Sequence, residues 1–141
     1  MFSGGRAEFK RYDHDIETYS EIVVSPEDDI ELRRIRLCNH SDTHRQLDIT
    51  TYAEVVMTLP SSDITHPSFS NLFVQTEIIA NGTAILCSRR PRSADNETPW
   101  MFHLLVPHGN GDDVKIGGVS STTNRLEFIG RGRTLVSPHA L

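Results

Sequence analysis

Apolar side chains in this chain recur at every second position over long stretches, which is the periodicity of a β-strand rather than of a helix. The stretch 46–57, QLDITTYAEVVM, shows the pattern most clearly. One face of it carries Leu47, Ile49, Thr51, Ala53, Val55 and Met57, and the other carries Asp48, Thr50, Tyr52, Glu54 and Val56. Because successive side chains of a strand point to opposite faces, this alternation predicts a half-buried strand.

Turn-forming residues separate the alternating stretches at short intervals. Asp13-His14-Asp15 predicts a tight turn between two strands. Ala80-Asn81-Gly82 predicts a hairpin, because asparagine and glycine tolerate positive φ. In the strand-like stretch 30–39, IELRRIRLCN, the apolar phase changes at Arg33-Arg34, which predicts a β-bulge.

Three further strands are predicted in the second half of the chain. The apolar run 100–106, WMFHLLV, predicts a strand buried on both faces. The stretches 114–120 and 125–130 give a weaker and a stronger strand pattern. No stretch has helical periodicity, so the predicted fold class is all-β, an antiparallel β-sandwich of eight or nine strands. We assign this domain to 6–134, treat 1–5 as an added remnant and 135–141 as a tail, and expect binding work in the long loops 58–70 and 91–99.

Composition excludes several classes of function. The net charge of −5 argues against non-specific binding to nucleic acid, which needs a basic face. No apolar run approaches the roughly 20 residues of a membrane-spanning helix, so we expect no direct membrane contact. Cys38 and Cys87 are expected to be reduced, buried thiols in a cytoplasmic setting, with a disulfide as the alternative. Without a Cys-x-x-Cys pair or a close histidine pair, no metal site and no cofactor are predicted.

Catalytic motifs are absent from the sequence. The seven histidines are scattered, and the four-residue spacing of His40 and His44 falls in a predicted turn, where it does not favour metal binding. Neither a Gly-x-Ser-x-Gly elbow nor a Cys–His signature occurs. Glu54 and Glu77 are carboxylates of the kind used in glycoside hydrolysis, but their spacing does not place them across one bond. We therefore predict no catalytic residue.

The stretch 66–78, HPSFSNLFVQTEI, places aromatic and polar side chains directly before a predicted strand. Phe69 offers an apolar anchor for a ligand or partner, and Asn71 can cap a turn through its side chain. With His66, these residues are candidates for a binding or docking loop. The alternative is that Phe69 and Phe73 are ordinary core residues.

Tryptophan and arginine provide the other candidate contacts. Trp100, the single tryptophan, suits stacking on a sugar ring, although a tryptophan at the start of an apolar run also serves as a core lid. Arg89 and Arg90 in SRRPRS suit a salt-bridging edge against an acidic surface. Arg131 and Arg133 in IGRGRT suit either a phosphate group or an interfacial, structural role.

Six stretches taken together resemble a known family, the phosphorylase-like region of the cyclic β-1,2-glucan synthases. They are EIVVSPEDDIELRRIRLCN, TTYAEVVM, HPSFSNLFVQTEI, CSRRPRS, PWMFHL and RLEFIGRGRT. That region belongs to glycoside hydrolase family 94, formerly glycosyltransferase family 36, with the cellobiose and chitobiose phosphorylases. The resemblance runs from Arg6 to Thr134 and implies part of a galactose-mutarotase-like super-sandwich. The family's catalytic aspartate and phosphate site lie in a separate (α/α)6 barrel, so the resemblance transfers no catalytic residue.

The resemblance implies a non-catalytic, carbohydrate-associated module of a glycosyltransferase or glycoside phosphorylase. Such a module supports the barrel and holds a glucan, with His66, Phe69 and Asn71 shaping the loop that meets either one. The implied partners are the (α/α)6 barrel, a β-glucan and a second copy of the chain. The implied location is the cytoplasmic side of a bacterial inner-membrane protein. The alternative function is a structural dimerisation or interaction module without sugar affinity.

Overall fold

The computed structural model describes residues 2–3, 5–91, 98–109 and 114–141. Arg92 and most of the loop 91–99 therefore lie outside the described residues. The chain divides into two compact units, Met1–Thr50 and Thr51–Leu141, and each contains one antiparallel sheet. The predicted all-β, antiparallel fold class is confirmed, but the described residues form seven strands rather than eight or nine. None of their helices is long and apolar enough to cross a membrane.

The first unit is a four-stranded sheet in the order β1–β2–β3–β4. Its strands are β1 (Phe2–Ser3), β2 (Arg6–Asp13), β3 (Ile16–Val24) and β4 (Glu31–Asn39). His14 and Asp15 connect β2 to β3 with φ values of 47° and 64°, which confirms the predicted tight turn. Short polar side chains ease this left-handed backbone, so the turn follows from local sequence.

The predicted β-bulge at Arg33-Arg34 is wrong. Strands β3 and β4 pair one to one along their whole length, with Arg33 opposite Ile22 and Arg34 opposite Glu21. The change of apolar phase instead places apolar side chains on both faces of β4, where Leu32 and Ile35 are exposed on opposite sides. An edge strand tolerates this pattern because neither of its faces has to be fully buried.

One face of the first sheet is a network of ion pairs. Glu21, only 8% exposed, lies at its centre and accepts hydrogen bonds from Arg34 Nε at 2.5 Å and from Arg6 at 3.4 Å. Lys10 pairs with Glu17 at 3.1 Å on the same face. Hydrogen bonding from Lys10 holds the pKa of Glu17 below its ordinary value. The buried Glu21 carboxylate depends on its arginines, because an unpaired buried charge is costly.

We expect Arg34→Ala to lower the free energy of unfolding by about 1 kcal/mol, because it removes one of the two partners of a buried carboxylate. Urea denaturation followed by circular dichroism measures the change. Arg33→Ala is the matched control, since Arg33 lies on the opposite face and pairs with exposed Glu31. Its effect should stay within about 0.5 kcal/mol. Equal losses in both variants would contradict the special role of Glu21.

The second unit contains a three-stranded sheet in the order β5–β6–β7. Its strands are β5 (Val74–Ile79), β6 (Ala84–Arg89) and β7 (Trp100–Leu104). A left-handed turn, Ala80–Gly82, joins β5 to β6, and all three of its residues have positive φ. The hairpin predicted from Asn81-Gly82 is confirmed.

The two faces of the second sheet differ in burial. Cys87 on central β6 is only 1% exposed, and Met101 beside it on β7 is half-buried. On the same face, His103 Nε2 lies 2.8 Å from Thr51 Oγ1. The alternate side chains of β7, Trp100 and Phe102, are exposed instead. The prediction that this strand is buried on both faces is therefore wrong, because β7 alternates between a covered face and an open one.

Three short helices correct the expectation that the chain has none. They are α1 (Pro60–Thr65), α2 (Pro67–Asn71) and α3 (Arg125–Ile129), and α3 replaces the strand predicted at 125–130. Asn124 caps α3, its side-chain oxygen accepting from the N–H groups of Leu126 at 3.1 Å and Glu127 at 3.2 Å. These two bonds satisfy donors that an uncapped helix start would leave open.

Two other predicted strands do not form. The stretch 46–57, the clearest alternating stretch in the sequence, is in neither strand nor helix, and Leu47 and Ile49 within it are exposed. The stretch 114–120 likewise contains no strand. Alternation specifies which side chains would share a face, but a strand also needs a neighbouring backbone to pair with.

Gly130 ends α3 for a packing reason. Its φ is 85°, and a Cβ at this position would lie 2.6 Å from the Cβ of His139. The returning chain is held there by hydrogen bonds from the His139 N–H to the Ile129 carbonyl and from the Ala140 N–H to the Phe128 carbonyl. This glycine of IGRGRT therefore serves a close backbone approach.

The two cysteines are free and differ in access: Cys87 is buried, as expected, but Cys38 is exposed, which corrects the expectation that both are buried. Burial raises the pKa of the Cys87 thiol.

We expect a thiol-specific chromogenic disulfide to react with one cysteine of the native chain and with both after unfolding. Cys87 should react at least about tenfold more slowly than Cys38. Cys38→Ser should remove the fast phase, and two fast native thiols would refute this assignment.

Candidate functional site

The eight side chains predicted to contact sugar or a partner all lie in the second unit, at four places. His66 lies between α1 and α2, and Phe69 and Asn71 belong to α2. Arg89 ends β6 and is followed directly by Arg90. Trp100 begins β7, and Arg131 and Arg133 follow α3. The structure brings some of these together and leaves others apart.

Three of the predicted residues meet at Phe73. The ring of Phe69 packs edge-on against Phe73, with centroids 5.1 Å apart. The guanidinium carbons of Arg89 and Arg90 each lie 5.4 Å from the Phe73 centroid. The Arg90 N–H also donates to the Phe73 carbonyl at 2.9 Å. We call these four residues the arginine–phenylalanine cluster.

The arginine–phenylalanine cluster attaches the helical loop to the end of β6. Cation–π contact contributes on the order of 0.5–1 kcal/mol at an exposed position such as that of Arg90, and more where the cation is buried. Arg89 is buried and its guanidinium lies against the ring, whereas Phe69 and Arg90 are exposed. Phe73 was considered only as a core residue from the sequence, yet it is the centre of the cluster. Its place immediately before β5, in the same stretch as Phe69, is the signal that could have identified it.

The remaining loop and turn candidates stay apart from the cluster. Within the described part of the chain, no hydrogen bond or ring contact joins His66, Asn71, Arg131 or Arg133 to another predicted site residue. The N–H of His66 instead closes α1 on the Ser62 carbonyl, and Arg133 donates to the Pro138 carbonyl at 3.5 Å. Since neither Arg131 nor Arg133 meets another predicted site residue, this arrangement does not support the phosphate-binding interpretation of IGRGRT.

Trp100 lies on an open face of the second sheet. The strand register aligns Trp100 with Ser88 and Gln75 in one row across the sheet, and Phe102 with Leu86 and Glu77 in the next. We call these six residues the Trp100 platform. Five of them, together with Thr76, line a shallow hollow of ≈ 200 Å³. Trp100 and Phe102 are 65% and 64% exposed, so the rings are accessible to a ligand.

The chemistry of the Trp100 platform suits a neutral polar ligand with apolar faces. Exposed aromatic rings offer flat apolar surface for the C–H face of a sugar. Gln75, Ser88 and Glu77 offer amide, hydroxyl and carboxylate groups that donate to or accept from hydroxyl groups. Phe102 was not among the predicted site residues, because the sequence of its strand suggested burial on both faces.

A larger hollow, of ≈ 410 Å³, lies on the charged face of the first sheet. Its lining residues are Arg6, Glu8, Lys10, Glu17, Tyr19, Glu21 and Arg36. The charges are matched within the hollow: Arg6 pairs with Glu8 at 2.7 Å, and the Arg36 guanidinium lies 5.4 Å from the centroid of Tyr19. Because these groups already satisfy one another, this hollow is a weaker candidate for ligand binding than the Trp100 platform.

Glu54, one of the two carboxylates considered for glycoside chemistry, is held by its neighbours. Tyr52 donates its hydroxyl to Glu54, and Arg125 Nε donates to the same oxygen at 2.8 Å. The Tyr52 ring also stacks on Phe128 with centroids 5.0 Å apart. Burial acts to raise the pKa of Glu54, but the hydrogen bonds from Tyr52 and Arg125 outweigh it and hold that pKa below its ordinary value. This arrangement connects α3 to the stretch that precedes α1.

Metal binding has no candidate site in the part of the chain that the structure describes. No three histidine, cysteine, aspartate or glutamate side chains there are grouped closely enough to hold an ion.

We expect the contribution of Glu54 to stability to depend on pH. Because its folded-state pKa is lowered, this contribution is present above the unfolded-state value of about 4.3 and is lost as pH falls through the folded-state pKa. Glu54→Gln should therefore cost about 0.5 kcal/mol near pH 7 and progressively less below about pH 4. Urea denaturation across that range measures the difference. Glu77→Gln, which removes an exposed carboxylate elsewhere in the second unit, controls for the lost charge, and a pH-independent effect of Glu54→Gln would contradict the assignment.

Comparison with known proteins extends over the whole chain. Residues 1–141 match the family model described as "Glycosyl hydrolase 94, supersandwich domain". The chain is also 33% identical over 139 residues to the cyclic beta-(1,2)-glucan synthase NdvB of Rhizobium meliloti (strain 1021). That alignment covers 99% of this chain but only 5% of the length of that protein. The family resemblance predicted from the sequence is confirmed, and the chain belongs to glycosyl hydrolase family 94 as a supersandwich domain.

Proposed function

We propose that this chain is a non-catalytic, carbohydrate-associated module of a cyclic β-1,2-glucan synthase-like protein. It supports the catalytic (α/α)6 barrel of the parent protein and holds a glucan on the Trp100 platform. The observation that carries the proposal is an exposed Trp100 that shares an open sheet face with Gln75, Ser88 and Glu77. Membership of a glycosyl hydrolase family, and a relative named as a glucan synthase, make a glucan the sugar to expect.

Glucan binding on this platform combines two kinds of contact. The C–H face of a glucose ring packs on Trp100 and buries apolar surface, which stabilises the complex by roughly 25 cal/mol per Å² removed from water. Gln75 and Ser88 lie in the same row and supply hydrogen bonds that fix the orientation of the ring. Part of this gain offsets the lost freedom of a flexible sugar, so the affinity of an open platform is modest.

The surroundings of the candidate carboxylates favour an accessory role over catalysis. Glycoside cleavage needs a general acid that stays protonated near neutral pH, which requires a raised pKa. Glu54 has the opposite shift, because Tyr52 and Arg125 stabilise its charged form. Glu77 lies exposed on the platform opposite Leu86, where its carboxylate is accessible to a ligand hydroxyl group. In this proposal the transferase or phosphorylase chemistry belongs to the barrel of the parent protein, on the cytoplasmic side of the membrane.

A second candidate function is an interaction module without sugar affinity. The segment 59–72, which contains α1 and α2, is called the α1–α2 loop. Four of its large apolar side chains are exposed to solvent: Leu59, Ile64, Phe69 and Leu72. Exposed apolar side chains grouped in this way are typical of protein interfaces. The barrel of the parent protein and a second copy of the chain, pairing through open sheet edges, are the partners that this candidate implies.

Titration with linear β-1,2-glucan distinguishes the two candidates. We expect heat of binding by calorimetry and a change in the emission of Trp100, the single tryptophan, with a dissociation constant on the order of 1 mM. Trp100→Ala should abolish measurable binding. Ile64→Ala, which truncates an exposed apolar residue outside the platform, should leave it unchanged. If the unaltered chain gives no heat with about 10 mM sugar, a concentration well above that constant, the sugar-binding function fails and the interaction module stands.

A further inference from the structure

The Trp100 platform is built from two equivalent rows rather than from one aromatic side chain. In the first row Trp100, Ser88 and Gln75 lie side by side on β7, β6 and β5, and in the second Phe102, Leu86 and Glu77 do the same. Each row therefore has an exposed aromatic ring on β7 and a polar side chain on β5.

The spacing of the rows follows from strand geometry. Residues two apart on one face of a strand are separated by about 6.6 Å, so the bases of Trp100 and Phe102 are that far apart along β7. Within a row, β5 and β7 are separated by two strand spacings, or about 9.6 Å. A sugar ring that packs on an aromatic side chain of β7 can therefore extend across β6 towards the polar residue on β5.

We propose that the platform provides two successive sugar subsites and recognises a stretch of β-glucan running along β7 rather than a single terminal glucose. One subsite is formed by Trp100, Ser88 and Gln75, and the other by Phe102, Leu86 and Glu77. This inference rests on the proposed function, because it specifies how the same platform binds its sugar.

The third row marks where the platform ends. It consists of Leu104, Ala84 and Ile79, and it has no polar side chain to orient a hydroxyl group. Within the paired strands, the polar groups of this sheet face lie in the two rows that also carry aromatic rings, and exposed Arg90, paired with Phe73, borders the first of them. An aromatic ring on β7 and a polar side chain on β5 occur together in each of these two rows, and this repetition indicates two subsites.

The charge of the platform selects the class of ligand. Glu77 is the single ionisable side chain among its six residues, and none of the six is basic. An anionic ligand would meet a carboxylate with no cation in the platform to offset it. A neutral glucan has no such penalty, and its hydroxyl groups can donate to Glu77. At the row that contains Glu77, the geometry thus favours an uncharged sugar over a phosphorylated one.

A series of sugars of increasing length tests the two subsites. The probes are glucose, the β-1,2-linked disaccharide of glucose, and the corresponding trisaccharide and tetrasaccharide, followed by Trp100 emission and by calorimetry. Filling a second aromatic subsite should tighten binding about fivefold or more between glucose and the disaccharide, with smaller gains beyond it. The same disaccharide carrying a phosphate group should bind more weakly than the neutral form.

Phe102→Ala isolates the second subsite. This variant should bind glucose as the unaltered chain does but should lose the gain on going to the disaccharide. Phe102 is exposed, so the variant should keep its unfolding midpoint, and Phe102→Leu provides a second, more conservative variant. Leu104→Ala, in the third row of the same strand, is the matched control and should keep the gain.

The outcomes separate this inference from the proposed function. If no sugar of the series binds, the proposed function fails and the subsites fail with it. If sugars bind with affinity independent of length, or if Phe102→Ala keeps the gain, the two-subsite inference is overturned while the proposed function stands. A blue shift of Trp100 emission that depends on protein concentration, without sugar, would mean that a second copy covers the platform and would also overturn it.

Discussion

The antiparallel register of each sheet decides which side chains share a face, and each sheet contains one hairpin whose turn has positive φ. His14 and Asp15 join β2 to β3 in the first sheet, and Asn81 lies in the turn that joins β5 to β6 in the second. A slip of one residue in β7 would move Trp100 and Phe102 from the open face to the covered one and expose Met101 and His103 instead. The register of β7 against β6 therefore decides which side chains form the Trp100 platform.

The two sheets use their polar side chains in different ways. In the first, Glu21 is buried between Arg6 and Arg34, and the surrounding acids and bases pair with one another, so the charges stabilise the sheet itself. In the second, Gln75 and Glu77 on β5 share an open face with two exposed rings on β7. Matched charges leave little gain for a ligand, whereas exposed amide and carboxylate groups near apolar surface can gain from one.

Local sequence predicted those features of the fold that local chemistry determines. The turns at Asp13-His14-Asp15 and Asn81-Gly82, the strands beside them and the family resemblance were all predictable. That the stretch 46–57 forms no strand could not be predicted, because alternation cannot show whether a neighbouring backbone is available for pairing. Helix α3 had a readable signal: Asn124 followed by Glu127 is an N-cap with an acid in the first turn. Trp100 was predicted as a candidate, but Phe102 was missed because only strand pairing shows which face of β7 is open.

The polarity of the open face also bears on what can occupy it. A closely packed apolar protein surface would remove Gln75 and Glu77 from water, and an unpaired buried carboxylate is costly enough to outweigh much of the gain from covering two aromatic rings. A sugar covers the same rings with its C–H groups and supplies hydroxyl groups to the same polar atoms, so it does not incur that cost. The exposed apolar side chains of the α1–α2 loop, such as Ile64 and Leu72, suit a protein partner better. The second unit thus has two surfaces of different chemistry, one suited to a sugar and the other to a protein partner.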